Sequence, residues 1–402
     1  MFFTRIANGG IPRGIAANGP AILSYGFRPF FLLAGVWAIL AMSLWVMALI
    51  SGWPVGGTFG PVNWHAHEMV FGYTSAVMGG FMLTAIPNWT GRLPVSGTPL
   101  LALVALWFAG RLALLFPDAL GLPISLTIEA AFLPALTLVA LREIMAGRNW
   151  KNLKILAGLS ALTTANIWFH ILAFSGEDTS IASRMAIAAL VMLICLVGGR
   201  IVPSFTRNWL SRRRQKLLPA PFDRFDQGTL LLTLAAFVLW VSAPDDWLTA
   251  ALCFAAGIAQ GLRLVRWRGG SSWREPIVGA LHLAYAFVPL GLVVIGFGAT
   301  GLLTHASAAH VLLVGAIGGM TLAVMSRAAL GHTGREIKAP VLIVVAYSYV
   351  AAAALVRPLV DLVPALYFPI FSVSGLLWIF AFALFCAVYA PILLKPRVEK
   401  AR

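Results

Sequence analysis

Charge is scarce in this chain. Of its 402 residues only 11% are Asp, Glu, Lys or Arg, while 60% are apolar; a soluble protein of this size carries about a quarter charged residues. A water-soluble fold of this length has too little interior to hide so much apolar surface, so lipid is the solvent left. Acid is scarcer than base, 14 residues against 29, for a formal net charge of +15. Cysteine is rarer still: Cys195, Cys253 and Cys386 stand alone in apolar runs, with no CxxC or CxxCH. That removes support for covalent c-type haem, thiolate zinc and a disulfide framework. There is also no soluble domain to present the basic run Arg212-Arg213-Arg214 with Lys216. Nucleic-acid binding is therefore excluded, and the run reads as a cytoplasmic anchor. Nor is there a compact apolar segment before Tyr25; Ile11–Pro20 is rich in Gly, Pro and Asn, so residues 1–28 read as a cytoplasmic arm and not as a cleaved signal.

What the chain has is long apolar runs. A bilayer core takes about 20 apolar residues per helix. Such runs fall near 29–51, 64–87, 98–116, 121–145, 153–175, 181–203, 228–243, 246–265, 276–299, 305–329, 338–360 and 366–394. The expected fold is all-α: one polytopic membrane domain, 1–402, with about twelve transmembrane helices. With the N-terminus inside, the inner segments hold 25 of the 29 Lys and Arg residues. The outer loops hold Asp118, Glu177, Asp178, Asp245, Asp246 and Asp361, with Arg184 and Arg357 their only cations. This asymmetry predicts both ends in the cytoplasm.

The second, sixth and tenth runs share a pattern. Each carries a glycine pair, Gly79-Gly80, Gly198-Gly199 and Gly318-Gly319, at separations of 119 and 120 residues. Paired glycines are common where membrane helices pack closely, but the even spacing predicts three parallel four-helix repeats, 29–145, 153–265 and 276–394.

The histidines are unevenly spread. His65 and His67 open the second run, His170 lies near the outer end of the fifth, and His305 and His310 open the tenth. Five of seven thus share the outer half of the bilayer, where imidazole is a ligand for iron, copper or zinc. A lone histidine here more often satisfies a carbonyl or a helix end; five together point to a metal centre. His65 and His67 stand about 200° apart on a regular helix, so two sites fit better than one. Glu68, three residues from His65, is the expected acid–base or supporting carboxylate. Glu129, in the fourth run, has no recognisable partner in the sequence and reads equally as buried polar glue or as an ion-path residue; Arg111 also lies at membrane depth. On the inner side are His282 and the turn Leu330-Gly331-His332-Thr333-Gly334-Arg335, whose imidazole and cation suit an anionic group such as a haem propionate, or form an ordinary turn.

Long motifs carry a family resemblance. Trp64-His65-Ala66-His67-Glu68-Met69-Val70-Phe71-Gly72 and Gly80-Phe81-Met82-Leu83-Thr84-Ala85-Ile86-Pro87-Asn88-Trp89-Thr90-Gly91 resemble the NnrS family. So do Gly315-Ala316-Ile317-Gly318-Gly319-Met320, the segment from Met325-Ser326-Arg327 to Arg335, and Tyr25-Gly26-Phe27-Arg28-Pro29-Phe30-Phe31. The resemblance spans nearly the whole chain. It implies a bacterial inner-membrane protein with non-covalent haem and copper, linked to denitrification, nitric oxide (NO) and nitrosative stress. A more distant likeness to the catalytic subunit of haem-copper oxidases and NO reductases is architectural; this chain has no adjacent His-His pair and no histidine in its sixth run.

The expected assignment puts haem iron on His67 and His310, with His332 and Arg335 toward its anionic edge. Copper falls to His65, His170 and His305, with Glu68 in support. The partners expected are the lipid bilayer and a small ligand such as NO. Competing readings are a carrier for a metal or metal–nitrosyl complex, and a non-catalytic NO sensor; haem type, electron donor and oligomeric state stay open.

Overall fold

The computed structural model describes residues 19–398; residues 1–18 of the expected cytoplasmic arm lie outside the described residues. Every long element is helical, and no strand occurs among the described residues. Twelve helices are long and apolar enough to cross a bilayer. They are α1 (Phe27–Ser51), α2 (Pro61–Thr90), α3 (Thr98–Leu115), α4 (Leu122–Ala146), α5 (Trp150–Ser175) and α6 (Ser180–Arg212), followed by α7 (Arg224–Ser242), α8 (Trp247–Val265), α9 (Pro276–Ala299), α10 (His305–His332), α11 (Val341–Leu362) and α12 (Pro364–Leu394). The chain is a multi-pass membrane protein, and its apolar outer faces meet lipid. Helices are the expected solution, because every backbone N–H and C=O in hydrocarbon must be satisfied within the segment.

The helices lie close to the apolar runs of the sequence, with one informative difference. α2 and α6 run on through Pro87 and Pro203 to Thr90 and Arg212. A proline inside a helix removes one N–H donor and strains the preceding turn, yet neither ends its helix. α2 stops instead at Gly91, whose φ of +70° and N–H bond back to Pro87 form a left-handed cap. The last turns of α6 are amphipathic: Val202, Thr206 and Leu210 are buried four residues apart while Arg207 and Ser211 face outward. A search for apolar runs misses such turns.

The three helices bearing glycine pairs also carry wide π-helical turns, at Glu68–Tyr73, Ile194–Gly198 and Val311–Gly318. These are the only π segments among the described residues. A π turn inserts a residue into an α-helix and misaligns the local ladder, a feature that recurs at functional sites. In α2 the disturbed backbone gains an outside partner, since Trp107 Nε1 donates to the Gly72 carbonyl at 3.0 Å.

The chain divides into two compact units. One comprises Met1–Ala186, Arg327–Ile337 and Phe385–Arg402; the other comprises Ile187–Ser326 and Lys338–Leu384. In the first unit α2 is an interior helix: 78% of its apolar window is buried, against 39% for α1, α3 and α4. Close packing comes from small residues, as expected where lipid offers no hydrophobic drive between helices. Gly80 lies against Phe31, and Gly35 against Cys386 and Phe385. Polar groups on α2 therefore face protein and must find partners there.

Candidate metal centre

The site lies in the first unit, on five helices. Gly60, at φ +84°, and Pro61 start α2, so that Trp64 and His67 fall on its buried face at the beginning of the span. The π turn begins one residue later, at Glu68. His67 and Glu68 are both fully buried. Arg111 comes from α3, and Glu129 from α4 just before that helix is interrupted at Ala131. Asn166 and His170, four residues apart on α5, share a face. Trp37 of α1 closes the group.

These side chains form one connected network. Glu68 Oε2 accepts from Trp37 Nε1 and from Arg111 Nη1, both at 2.7 Å. Arg111 reaches across to Glu129 Oε1 with its other terminal nitrogen. Glu129 Oε2 lies 2.6 Å from His170 Nε2, 3.0 Å from Asn166 Nδ2 and 3.2 Å from His67 Nε2. His67 Nε2 also meets Asn166 Oδ1 at 2.9 Å, and its Nδ1 lies 3.2 Å from Glu68 Oε1. Phe59, Phe71 and Phe169 surround the two imidazoles, whose centroids are 4.7 Å apart.

Charge and donor counting define what the site can hold. Two carboxylates and one guanidinium leave a formal charge of −1 in a buried place, and a buried charge needs a partner. The neighbours of both His67 nitrogens, Glu68, Asn166 Oδ1 and Glu129, are acceptors, so both ring nitrogens donate. The cation position is therefore at His67 Nε2, where a metal ion can replace the proton. Ligand atoms of His67, Glu129 and His170 all lie within 4.8 Å of one another, the one such group of three among the described residues. His170 Nδ1 is buried and has no hydrogen-bond partner. Two imidazoles and a carboxylate suit copper(II) and equally non-haem iron(II). Glu68 on the far nitrogen of His67 is the familiar outer partner that fixes a ligand's tautomer.

A family model described as NnrS protein matches residues 21–397. The chain belongs to the NnrS family. Membership in the NnrS family fits a nitric-oxide-related membrane protein and suggests metal or haem binding in general. A comparison with curated proteins gives no match.

The remaining candidate histidines are placed differently. His65 turns away from His67 and stacks on Trp45, with centroids 4.4 Å apart and planes within 8°. In the second unit, His305 Nε2 lies 2.8 Å from Asp245 on the exposed surface. His310 Nδ1 donates to the Ala306 carbonyl at 2.6 Å, which leaves Nε2 as the lone-pair nitrogen. The His282 ring is held by Thr206 at 2.8 Å. His332 stacks on Tyr25 in the first unit. Glu68, His67 and His170 thus come together; His65 stands outside their group. Glu129, Arg111 and Asn166 were not singled out as ligands in the sequence, although the spacing of Asn166 from His170 is a signal that can be read there.

Haem fits these surroundings poorly. The ring of His67 is enclosed by three phenylalanines and His170, and both its nitrogens are engaged. The glycine faces that offer room for a planar group are covered by the protein's own side chains. Gly72 lies against Arg111 and Glu68, Gly315 against Phe287, and Gly318 against Trp378. His310, whose Nδ1 donates to the Ala306 carbonyl, is the histidine whose Nε2 lone pair would still suit haem iron.

Proposed function

We propose that this protein is a metal-binding protein of nitric oxide metabolism or nitrosative-stress defence in the bacterial inner membrane. Its metal ion, copper by family resemblance, is held by His67, Glu129 and His170. The observation that carries the reading is the convergence of two imidazoles on one carboxylate oxygen inside a membrane helix bundle. Ionisable groups at that depth are costly and mark function. Three protein ligands leave coordination positions open for a small diatomic such as NO. Glu68 orients His67, Asn166 positions both Glu129 and His67, and Arg111 balances the two carboxylates.

Metal analysis of the purified protein tests this proposal. One tightly bound transition-metal ion per chain is expected, with a spectrum that changes on NO addition. A His170→Ala variant that folds as the wild type should lose the ion. Equal metal content in both proteins would rule the site out.

A carrier is the second reading, favoured by the unbroken polar chain from Trp37 through Glu68, Arg111 and Glu129 to His170. Such chains line ion and proton paths. Metal uptake into vesicles containing the protein, lost in Glu129→Gln, would favour transport; tight stoichiometric binding without uptake favours the resident metal.

A further inference from the structure

The segment that joins α1 to α2, residues 52–60, carries one aromatic side chain onto the metal ligands. Phe59 is 3% exposed. Its ring centroid lies 5.9 Å from that of His67 and 6.1 Å from those of His170 and Phe169. It therefore packs on both imidazoles, one from α2 and one from α5, while its neighbour Thr58 is exposed. Phe59 is the side chain that stands between the two imidazoles and the surface at Thr58.

The segment is built to be a separate piece. Phe59 N–H bonds the Gly56 carbonyl at 2.9 Å and Gly60 N–H the Gly57 carbonyl at 3.0 Å, so its backbone closes on itself. Gly57, at φ +47°, and Gly60, at φ +84°, lie on either side of the Thr58–Phe59 pair in conformations that glycine adopts without steric cost. Gly57 also lets the segment press on the end of α3, since a Cβ there would fall 2.2 Å from Asp118 Oδ2. Side chains then tie it to the bundle. Thr58 donates to Asp118 Oδ1 through both its N–H, at 3.2 Å, and its Oγ1, at 2.6 Å. Asn63, on the first turn of α2, donates to the Phe59 carbonyl at 3.2 Å and accepts from Thr179 Oγ1 at 3.1 Å. Thr58 and Asp118 are both exposed. Segments held by solvent-facing hydrogen bonds open at lower cost than the core.

What a molecule meets on this route is apolar. Phe59, Phe71 and Phe169 enclose the His67 ring. An anion passing between aromatic rings loses its hydration without gaining a partner, whereas a small uncharged molecule has little hydration to lose.

We propose that Phe59 is a specificity-determining residue of the metal centre. Closed, it passes small uncharged molecules and stops anions and larger reagents; the Thr58–Asp118 latch sets how often it opens. The inference rests on the metal centre proposed above and names the class of ligand that reaches it.

Asp118→Ala in the full-length protein tests this, because it cuts the latch without touching a ligand residue. Two probes need the opening. Azide added to metal-loaded protein gives a rate of spectral change, and diethyl pyrocarbonate added to metal-stripped protein gives a rate of His170 modification, read by mass spectrometry. Both rates should rise by the same factor, on the order of tenfold, as hydrogen bonds to a charged group are removed from one opening equilibrium. The rate of the NO-induced spectral change should stay at the wild-type value. Glu177→Gln, at another exposed acid, should leave all three rates alone. Phe59→Ala should bring the azide rate up towards the NO rate, and Phe59→Leu should do so in part. A wild type that holds no metal would remove the metal reading alone, since the His170 rates still decide whether Phe59 is a gate. Unchanged azide and diethyl pyrocarbonate rates in Asp118→Ala, or an NO rate that rises with them, would overturn the proposal.

Discussion

Glu129 and His170, 41 residues apart in sequence, meet at 2.6 Å inside the helix bundle. Glu129 is also the one carboxylate that touches both imidazoles of the site. Its removal should therefore do more than remove His65. Glu129→Ala is expected to abolish metal binding, while His65→Ala, which loses a stack on Trp45, should keep it. Metal content of the two purified variants checks this; loss in His65→Ala at native fold would move the site toward that histidine.

Arg111 is 1% exposed and bonds both carboxylates. Replacing it by Met leaves two buried negative charges facing each other. Breaking one side of a buried pair costs about 3–5 kcal/mol. Thermal unfolding in detergent should show a large loss for Arg111→Met and partial recovery when Glu68→Gln is added. Equal stability of wild type and single variant would show that the network is not formed.

Gly72 and Gly79 lie on one helix and separate two kinds of glycine. A Cβ at Gly72 would sit 2.1 Å from Arg111 Nη1 and 2.5 Å from Glu68 Oε2, whereas at Gly79 its nearest neighbours are ring carbons at 3.4 Å. Gly72→Ala should displace Arg111 and lower both stability and metal content; Gly79→Ala should be tolerated. The pair is read by unfolding temperature and metal analysis, and the reverse order would contradict the placement of Arg111.

Outside the spans, Asp223 caps the start of α7 and accepts from the N–H groups of Phe225 and Asp226. Hydrogen bonds from Arg266 foremost, then from the Asp226 backbone, hold its carboxyl down at about 2. The folded value lies below the unfolded one of about 3.9. Its contribution to stability is therefore complete above about pH 4 and fades as pH falls toward 2. Arg266→Gln should raise the titration midpoint, measured by NMR of aspartate carboxyl carbons. An unshifted midpoint would mean that the pair does not control it.

The number and limits of the spans were legible because a bilayer imposes one length and one composition on every crossing. Their ends were less so where α2 and α6 continue through proline on amphipathic turns. The site was legible in part. His67, Glu68 and His170 stood out as ionisable groups in apolar runs, and the separation of His65 from His67 follows from helical angle alone. Glu129 gave no sign of its partners, since they come from three other helices and only tertiary packing selects them. The π turn after His67 was also hidden, because nothing in Glu68–Tyr73 breaks the helical pattern. The bare glycine faces gave no sign of what covers them; in the fold Phe287, Trp378 and Arg111 lie against them.

The central claim is that His67, Glu129 and His170 ligate one metal ion. X-ray absorption at the edge of the bound metal tests it most directly, because imidazole rings scatter in a distinctive outer-shell pattern. The account predicts two imidazoles and an oxygen donor, with one imidazole lost in His170→Ala. A shell of sulfur, or a spectrum unchanged in that variant, would contradict it.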